Sequence, residues 1–357
     1  EQTVKDSAAI FGWGPEDVDT LKQVYPKHSL KIHKTGSPRV DLWNSNLSKY
    51  WGVPQGVPKR PFLLVNSNMS YANFEEPFRD LISRDRMGGY FQRDPDKFMR
   101  NFGFIAENYQ TIAAFIEAIK YLSEFNNGYD IVLRPHPTES IENWKVYLEG
   151  IPNVHVIREG SVTPWIKNAF AVMHNGCTTA LETTVSGTPL LSYVPFKQEY
   201  NFDLANELGF RIENKEELLR KVNTLFDVQQ SNNKNDLSKV LPEQVSKKIY
   251  IDNSELAADK MIKIWESLAN TNNISSKSSN WTMFKWLLKI MKINGKIGKI
   301  FKIILKGNFK QKLNYKFPPL DSQDIRERFD RMQSVLGVAN ELECKLLSDR
   351  TILIKQR

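Results

Sequence analysis

The sequence predicts an α/β protein built on a Rossmann-like, doubly wound parallel sheet, with a partial Rossmann-like region before it and helices after it. Three observations carry this. Between residues 61 and 268, apolar runs of strand length alternate with stretches of helical periodicity. The connections between them are short, as parallel strands joined by crossover helices require. Two strands end in polar residues of the kind that hold anions at the carboxyl edge of a parallel sheet: 130–133 runs into Arg134-Pro135-His136-Pro137, and 171–173 into His174-Asn175-Gly176-Cys177-Thr178-Thr179.

In chain order, Ala8-Ala9-Ile10-Phe11-Gly12 reads as a short strand. A helix to about Tyr25 follows, because Pro15 suits a first helical turn and Glu16 and Asp17 favour its dipole. Leu30-Lys31-Ile32-His33 is a second strand, and residues 1–50 read as the remnant of an N-terminal domain. The Pro- and Gly-rich run 51–60 reads as a linker. A larger domain then spans 61–270. It starts with Pro61-Phe62-Leu63-Leu64-Val65, which ends in Asn66-Ser67-Asn68-Met69-Ser70. Residues 71–102 read as a charged loop or lid with short helical pieces. Ile112, Phe115, Ile116, Ile119 and Leu122 predict a helix over 108–125. After the 130–133 strand come a helix near 144–148, a strand at 154–157, a short helix near 164–166 and the 171–173 strand. A helix at 178–186, a strand at 189–193 and helices at 216–226 and 254–268 complete the domain.

Charge separates the remainder of the chain. Eleven lysines and no acidic residue lie between Ala269 and Leu320, so the formal +8 falls to about −3 without them. The basicity belongs to 271–320 and does not mark a nucleic-acid binder. Within 281–316, lysines interleave with Trp281, Phe284, Trp286 and many Ile and Leu residues; the apolar runs are too short to span a bilayer. A Lys-rich amphipathic helix of this kind suits the surface of an anionic membrane, the plainer reading being a helix docked on the protein's own sheet. Residues 321–347 read as a final amphipathic helix within a C-terminal segment 321–357. Glu1 falls in a polar connection, so the chain reads as a piece lacking an upstream region.

Cys177 and Cys344 stand far apart, outside any metal-ligand spacing, which argues for a reducing, cytoplasmic setting. No P-loop, GxGxxG or metal cluster is present; an NTPase, a dinucleotide enzyme and a metallohydrolase are disfavoured, and no cofactor or metal is expected. His136, its backbone fixed by Pro135 and Pro137, is placed to donate to a phosphate with help from Arg134. In Asn175-Gly176-Cys177-Thr178-Thr179, glycine permits close backbone approach and two hydroxyls meet a helix start; simple N-capping is the alternative. Glu182 suits either a ribose diol or the helix dipole. Cys177 reads as a packing residue. Arg158-Glu159-Gly160-Ser161 borders the same edge, where its backbone could meet a base. Asp41, Glu75, Glu76, Asp80 and Glu107 are the carboxylates near the presumed cleft, and the sequence does not choose among them.

Taken together, Thr35-Gly36-Ser37-Pro38-Arg39-Val40-Asp41, Arg134-Pro135-His136-Pro137, Arg158-Glu159-Gly160-Ser161 with Trp165, and the stretch from His174 to Glu182 resemble the bacterial surface carbohydrate biosynthesis proteins. These are similar to GT-B glycosyltransferases that use CMP-activated ulosonic acids, among them Kdo and sialic acid transferases. The resemblance covers roughly residues 10–268. It implies a GT-B-like fold, His136 and Pro137 at CMP, Asn175 to Thr179 at the phosphate, Glu182 toward the ribose, and Asp41 and His136 as the catalytic pair. It also implies a CMP-sugar donor, a glycan or lipid-linked glycan acceptor and a place on the inner face of the cytoplasmic membrane. The chain departs from the pattern at its start, where 1–50 is far short of an acceptor domain. Two other readings stand beside it: a CDP-glycerol phosphotransferase or UDP-sugar epimerase type of enzyme, and a non-catalytic peripheral scaffold of polysaccharide assembly.

Overall fold

The computed structural model describes residues 2–73, 87, 89–126, 128–199, 203–231, 242–271, 320–337, 342–348 and 351–356. Its strands in chain order are β1 (Ile10–Gly12), β2 (Ile32–Lys34), β3 (Phe62–Asn66), β4 (Asp130–Arg134), β5 (Val154–Val156), β6 (Ala171–His174), β7 (Leu190–Tyr193), β8 (Phe210–Ile212), β9 (Leu342–Ser348) and β10 (Thr351–Gln356). β3 to β8 form one six-stranded sheet in the order β5-β4-β3-β6-β7-β8, and all its pairings are parallel. The strand order reverses at β3, between β4 and β6, which is where a doubly wound sheet opens its ligand crevice.

Alternation of side chains along the strands builds two cores. Leu63, Val65, Ile131, Leu133, Met173 and Leu191 face one way, onto Phe115, Ile119 and Leu122 of the Pro95–Phe125 helix, Trp144, and Leu218 and Val222 of the Lys215–Gln230 helix. Phe62, Leu64, Val132 and Val172 face the other way, onto Val40, Trp43, Trp165, Ile166, Ala180 and Val245. Burial on both faces explains why these strands are continuous apolar runs; each fully buried side chain of this size contributes about 1.5–3 kcal/mol.

The chain divides into two compact units, one of residues 12–20 and 36–251, the other of 1–11, 21–35 and 252–357. Residues 36–50 thus belong with the parallel sheet, because Val40, Trp43 and Leu47 are buried there, and the 51–60 run lies against the same core through Val57. In the other unit, β1 and β2 form a two-stranded sheet. Phe11 stands between His33 and Trp265, with ring centroids 6.2 and 5.7 Å away.

Several expected elements are corrected. Leu30 and Lys31 lie in a 3₁₀ turn, Pro26–Lys31, and β2 starts only at Ile32. The helix expected over 108–125 begins at Pro95, so the end of the presumed lid is helical: Pro95 at the first position and Asp96 in the first turn start it. β8 and the Glu243–Lys248 helix were not expected. The terminal helix is only Ser322–Leu336. Gly337 ends it in the left-handed conformation at φ 65°, and β9 and β10 follow as an antiparallel hairpin. The basic segment 281–316 lies outside the described residues; among those described, no helix is long and apolar enough to cross a membrane.

Gly209 enters β8 at φ +74°, and a Cβ there would meet the Leu190 carbonyl oxygen. Gly209→Ala is expected to cost about 1–3 kcal/mol, read as a lower urea midpoint; an unchanged midpoint would contradict the β7–β8 pairing.

Candidate functional site

In register, Asn66 of β3 lies opposite Arg134 of β4 on one side and His174 of β6 on the other, so three strands end at one level. β3 therefore stands between the two strand ends that the sequence singled out. Its own exit, Asn66 to Ser70, occupies the switch point and ties the other two together. Ser70 Oγ lies 3.1 Å from His136 Nδ1. Asn68 Nδ2 donates to the Gly176 carbonyl at 2.9 Å, and Asn66 Nδ2 to Thr179 Oγ1 at 3.1 Å.

The β3 and β4 exits are held by a buried carboxylate. Glu139 is fully buried and accepts hydrogen bonds from Ser67 Oγ, the Met69 N–H and Trp144 Nε1, the last at 2.7 Å. Burial pushes its carboxyl up against the opposing pull of these donors. Asn73 Nδ2 donates to the Ser140 carbonyl at 3.1 Å, and the Ser140 N–H to the Asn73 carbonyl at 2.8 Å.

His136 is half-buried beside the exposed Pro137. The Thr138 N–H donates to its Nδ1 at 3.3 Å, with Thr138 Oγ1 at 2.8 Å. An Nδ1 that accepts from a backbone N–H leaves the proton of the neutral ring on Nε2, making that nitrogen a donor.

Arg134 engages the backbone of a neighbouring loop. Its guanidinium donates to the carbonyls of Glu159, at 2.9 Å, and Gly160, and lies 5.7 Å over the Trp165 ring. Burial draws its pKa down to about 10. Arg134 thereby shapes the 158–161 loop, with Arg158 Nη1 donating to the Glu139 carbonyl at 2.7 Å and Ser161 preceding the Val162–Asn168 helix.

At the β6 exit, the Asn175 side chain donates to the Tyr193 carbonyl at 2.7 Å. Gly176 adopts φ 58°, a conformation that favours glycine, and its N–H donates to Asn206 Oδ1 at 2.7 Å. Cys177 is buried; Thr179 Oγ1 donates to its Sγ at 3.1 Å, and burial pushes the thiol pKa up, so it packs rather than reacts. Thr178 is exposed at the start of the Thr179–Ser186 helix. Glu182 is buried, accepting from Thr163 Oγ1; burial raises its pKa against that bond and the charges of Arg39, Lys167 and Arg134.

Among the candidate carboxylates, Asp41 ends the Pro38–Asp41 helix, where Ser37 Oγ accepts from the Arg39 N–H at 3.3 Å. Glu107 accepts from the Glu199 N–H at 2.6 Å and lines a small open cleft with Asn68, Asn108, Thr111 and Asn175. Glu75, Glu76 and Asp80 lie outside the described residues. Sequence reasoning missed Glu139, Asn206 and the whole β3 exit. The signal for the last was present, since Asn66-Ser67-Asn68 follows an apolar strand just as His136 and Asn175 do.

The strand order and its parallel pairings define a doubly wound α/β domain. No protein-family model matches the sequence, and no curated protein matches it. Among solved structures, the chain is similar to a protein from Listeria monocytogenes assigned as a UDP-N-acetylglucosamine 2-epimerase. The TM-score is 0.42 and the identity 15%, over 74% of this chain and 61% of that one. It is also similar to a variant of the wall teichoic acid polymerase TagF, with TM-score 0.43 and 12% identity over 76% and 60%. Staphylococcus aureus MnaA, solved with UDP, gives TM-score 0.40 and 12% identity over 75% and 61%. The chain thus spans about three-fifths of the length of each.

His174 yields a test of this arrangement. Ser192 Oγ donates to the Leu208 carbonyl at 2.7 Å and so accepts from His174 Nε2 at 2.9 Å, while the Cys177 N–H points at Nδ1 at 3.4 Å. The ring is fully buried and neutral, its pKa drawn by burial from 6.5 down to about 3. A depressed pKa stabilises the fold above the unfolded value and loses that stability as pH falls toward the folded one. Unfolding free energy is expected to drop by about 1.4 kcal/mol per pH unit from this group below pH 6.5. Urea titrations at pH 7 and pH 5 check it: the difference should shrink in His174→Gln, and an equal difference in both proteins would refute the assignment.

Proposed function

We propose that this chain is the donor-binding part of a GT-B-type transferase of surface polysaccharide synthesis, taking a Kdo- or sialic-acid-like sugar from a CMP-linked donor. The observation that carries this reading is the switch-point lacing, in which Ser70 meets His136 and Asn68 meets Gly176 around one crevice. A nucleotide phosphate is the ligand such an edge suits, and the motif resemblance adds the CMP-sugar class.

In this reading the bond between the anomeric carbon and the phosphate oxygen breaks, and the electron pair leaves with CMP. His136 Nε2–H and the start of the Thr179–Ser186 helix stabilise the growing negative charge. Arg134 acts through the 158–161 loop rather than on the phosphate. Asp41 takes the proton of the acceptor hydroxyl as it attacks. Supporting this is the position of Arg39, two residues earlier, close enough to Glu182 to pull down that carboxyl's pKa. Segment 281–316 holds the enzyme at an anionic membrane.

Calorimetric titration with CMP should show binding, and His136→Ala should weaken it by about tenfold or more, the loss of one charge-assisted donor. Unchanged binding in the variant would remove His136 from the site. In a thermal-shift panel of CMP, CDP and UDP, preference for UDP would move the donor to the UDP-sugar class and preference for CDP to the CDP-glycerol class. For the basic segment, co-sedimentation with anionic vesicles should be strong at low salt and weaken as salt screens it; absence of binding at low salt would dispose of the membrane role.

A further inference from the structure

We propose that the outer edge of β9 pairs antiparallel with β9 of a second copy of this chain, centred on Cys344, to form a four-stranded sheet across a two-fold axis. This rests on the C-terminal hairpin alone and stands apart from the donor reading.

Among the described residues β9 and β10 form a sheet of two strands, with the Ser322–Leu336 helix against β9; a sheet this small gains stability from further strand pairing. Their register sets Leu346 opposite Ile352, Cys344 opposite Ile354 and Leu342 opposite Gln356. One face is therefore almost wholly apolar, yet Ile352 is 39% and Ile354 54% exposed. Glu343, Lys345 and Lys355 lie on the opposite face, where Lys355 Nζ reaches Glu343 Oε2 at 3.0 Å.

A two-fold axis perpendicular to the sheet places residues of the same face opposite each other, which restricts the registers. Centring the pairing on Glu343 sets carboxylate against carboxylate, and centring it on Lys345 sets ammonium against ammonium. Centring it on Leu346 carries Leu342 and Glu343 beyond the overlap. Only the Cys344 centre sets Glu343 against Lys345 twice and Leu342 against Leu346 twice, the opposite-charge and apolar pairs that stabilise antiparallel strands. The same pairing joins two apolar faces into one continuous surface. Self-pairing through β10 about Leu353 sets Thr351 against Lys355 and offers no opposite charges.

Light scattering on the full chain should give twice the chain mass of 41.3 kDa. Lys345→Glu should weaken self-association by about tenfold, since two attractive pairs become repulsive. Glu343→Lys alone should do the same, and mixing the two variants should restore a dimer, now of one chain of each kind. Cys344 gives a readout that needs no charge change. Directly opposed antiparallel residues have Cα atoms roughly 4.5–5.5 Å apart, within disulfide reach. Copper-phenanthroline should take two electrons and two protons from the opposed thiols and link the copies. Cys344→Ala should remain dimeric but fail to cross-link; Cys177 is buried and contributes nothing. A monomeric mass in the wild type would overturn the proposal, as would a dimer that neither cross-links at Cys344 nor responds to Lys345→Glu.

Discussion

The buried Glu139 carboxylate is the interaction on which the site depends. Three donors from three places, Ser67, the Met69 N–H and Trp144, converge on it. A carboxylate with no exposure is costly unless its oxygens are satisfied, so the cost of burying it is offset only when the β3 and β4 exits and the Ile141–Tyr147 helix are all in place. The β3 exit then has one conformation available, and it is this exit that reaches His136 through Ser70 and the β6 loop through Asn68. The geometry of three loops is thus governed by one buried group.

A second buried group does the same for the other half of the crevice. Neutral His174 is fixed by Ser192, which in turn is fixed by the Leu208 carbonyl, and Gly176 is fixed by Asn206. Arg134 completes the pattern on the third side by engaging the backbone of the 158–161 loop. Arg134 and Glu182, two charged residues that a first reading assigns to ligand binding, also position the loops and helices around them.

How much of this was legible follows from what each residue had to do. β3, β4, β6 and β7 are buried on both faces, so their sequences are unbroken apolar runs and could be read directly. β8, an edge strand of Phe-Arg-Ile with only Ile212 buried, carries no such run. β9 was read as the end of the helix expected over 321–347. Gly337, at positive φ, was the overlooked stop. Asp41, Arg134 and Glu182 carried the right chemistry for a donor site, but residue type says nothing about which partner a charge will find. Arg134 found two carbonyls and Glu182 found Thr163, and only the packing of strands and helices decides that.

The division of the chain has a consequence for its biosynthesis. The parallel sheet and both its cores lie within the stretch ending at Ile251, so that unit can close while the ribosome is still adding residues. Phe11 and Trp265, which pack together, both belong to the other unit and lie on either side of that stretch in the chain. β1 and β2 can pair with each other before Trp265 is made, but the side of Phe11 that Trp265 covers waits until after the middle of the chain has been made. Transiently exposed hydrophobic surface is what chaperones guard, and here it is one side of the Phe11 ring that stays open in that interval.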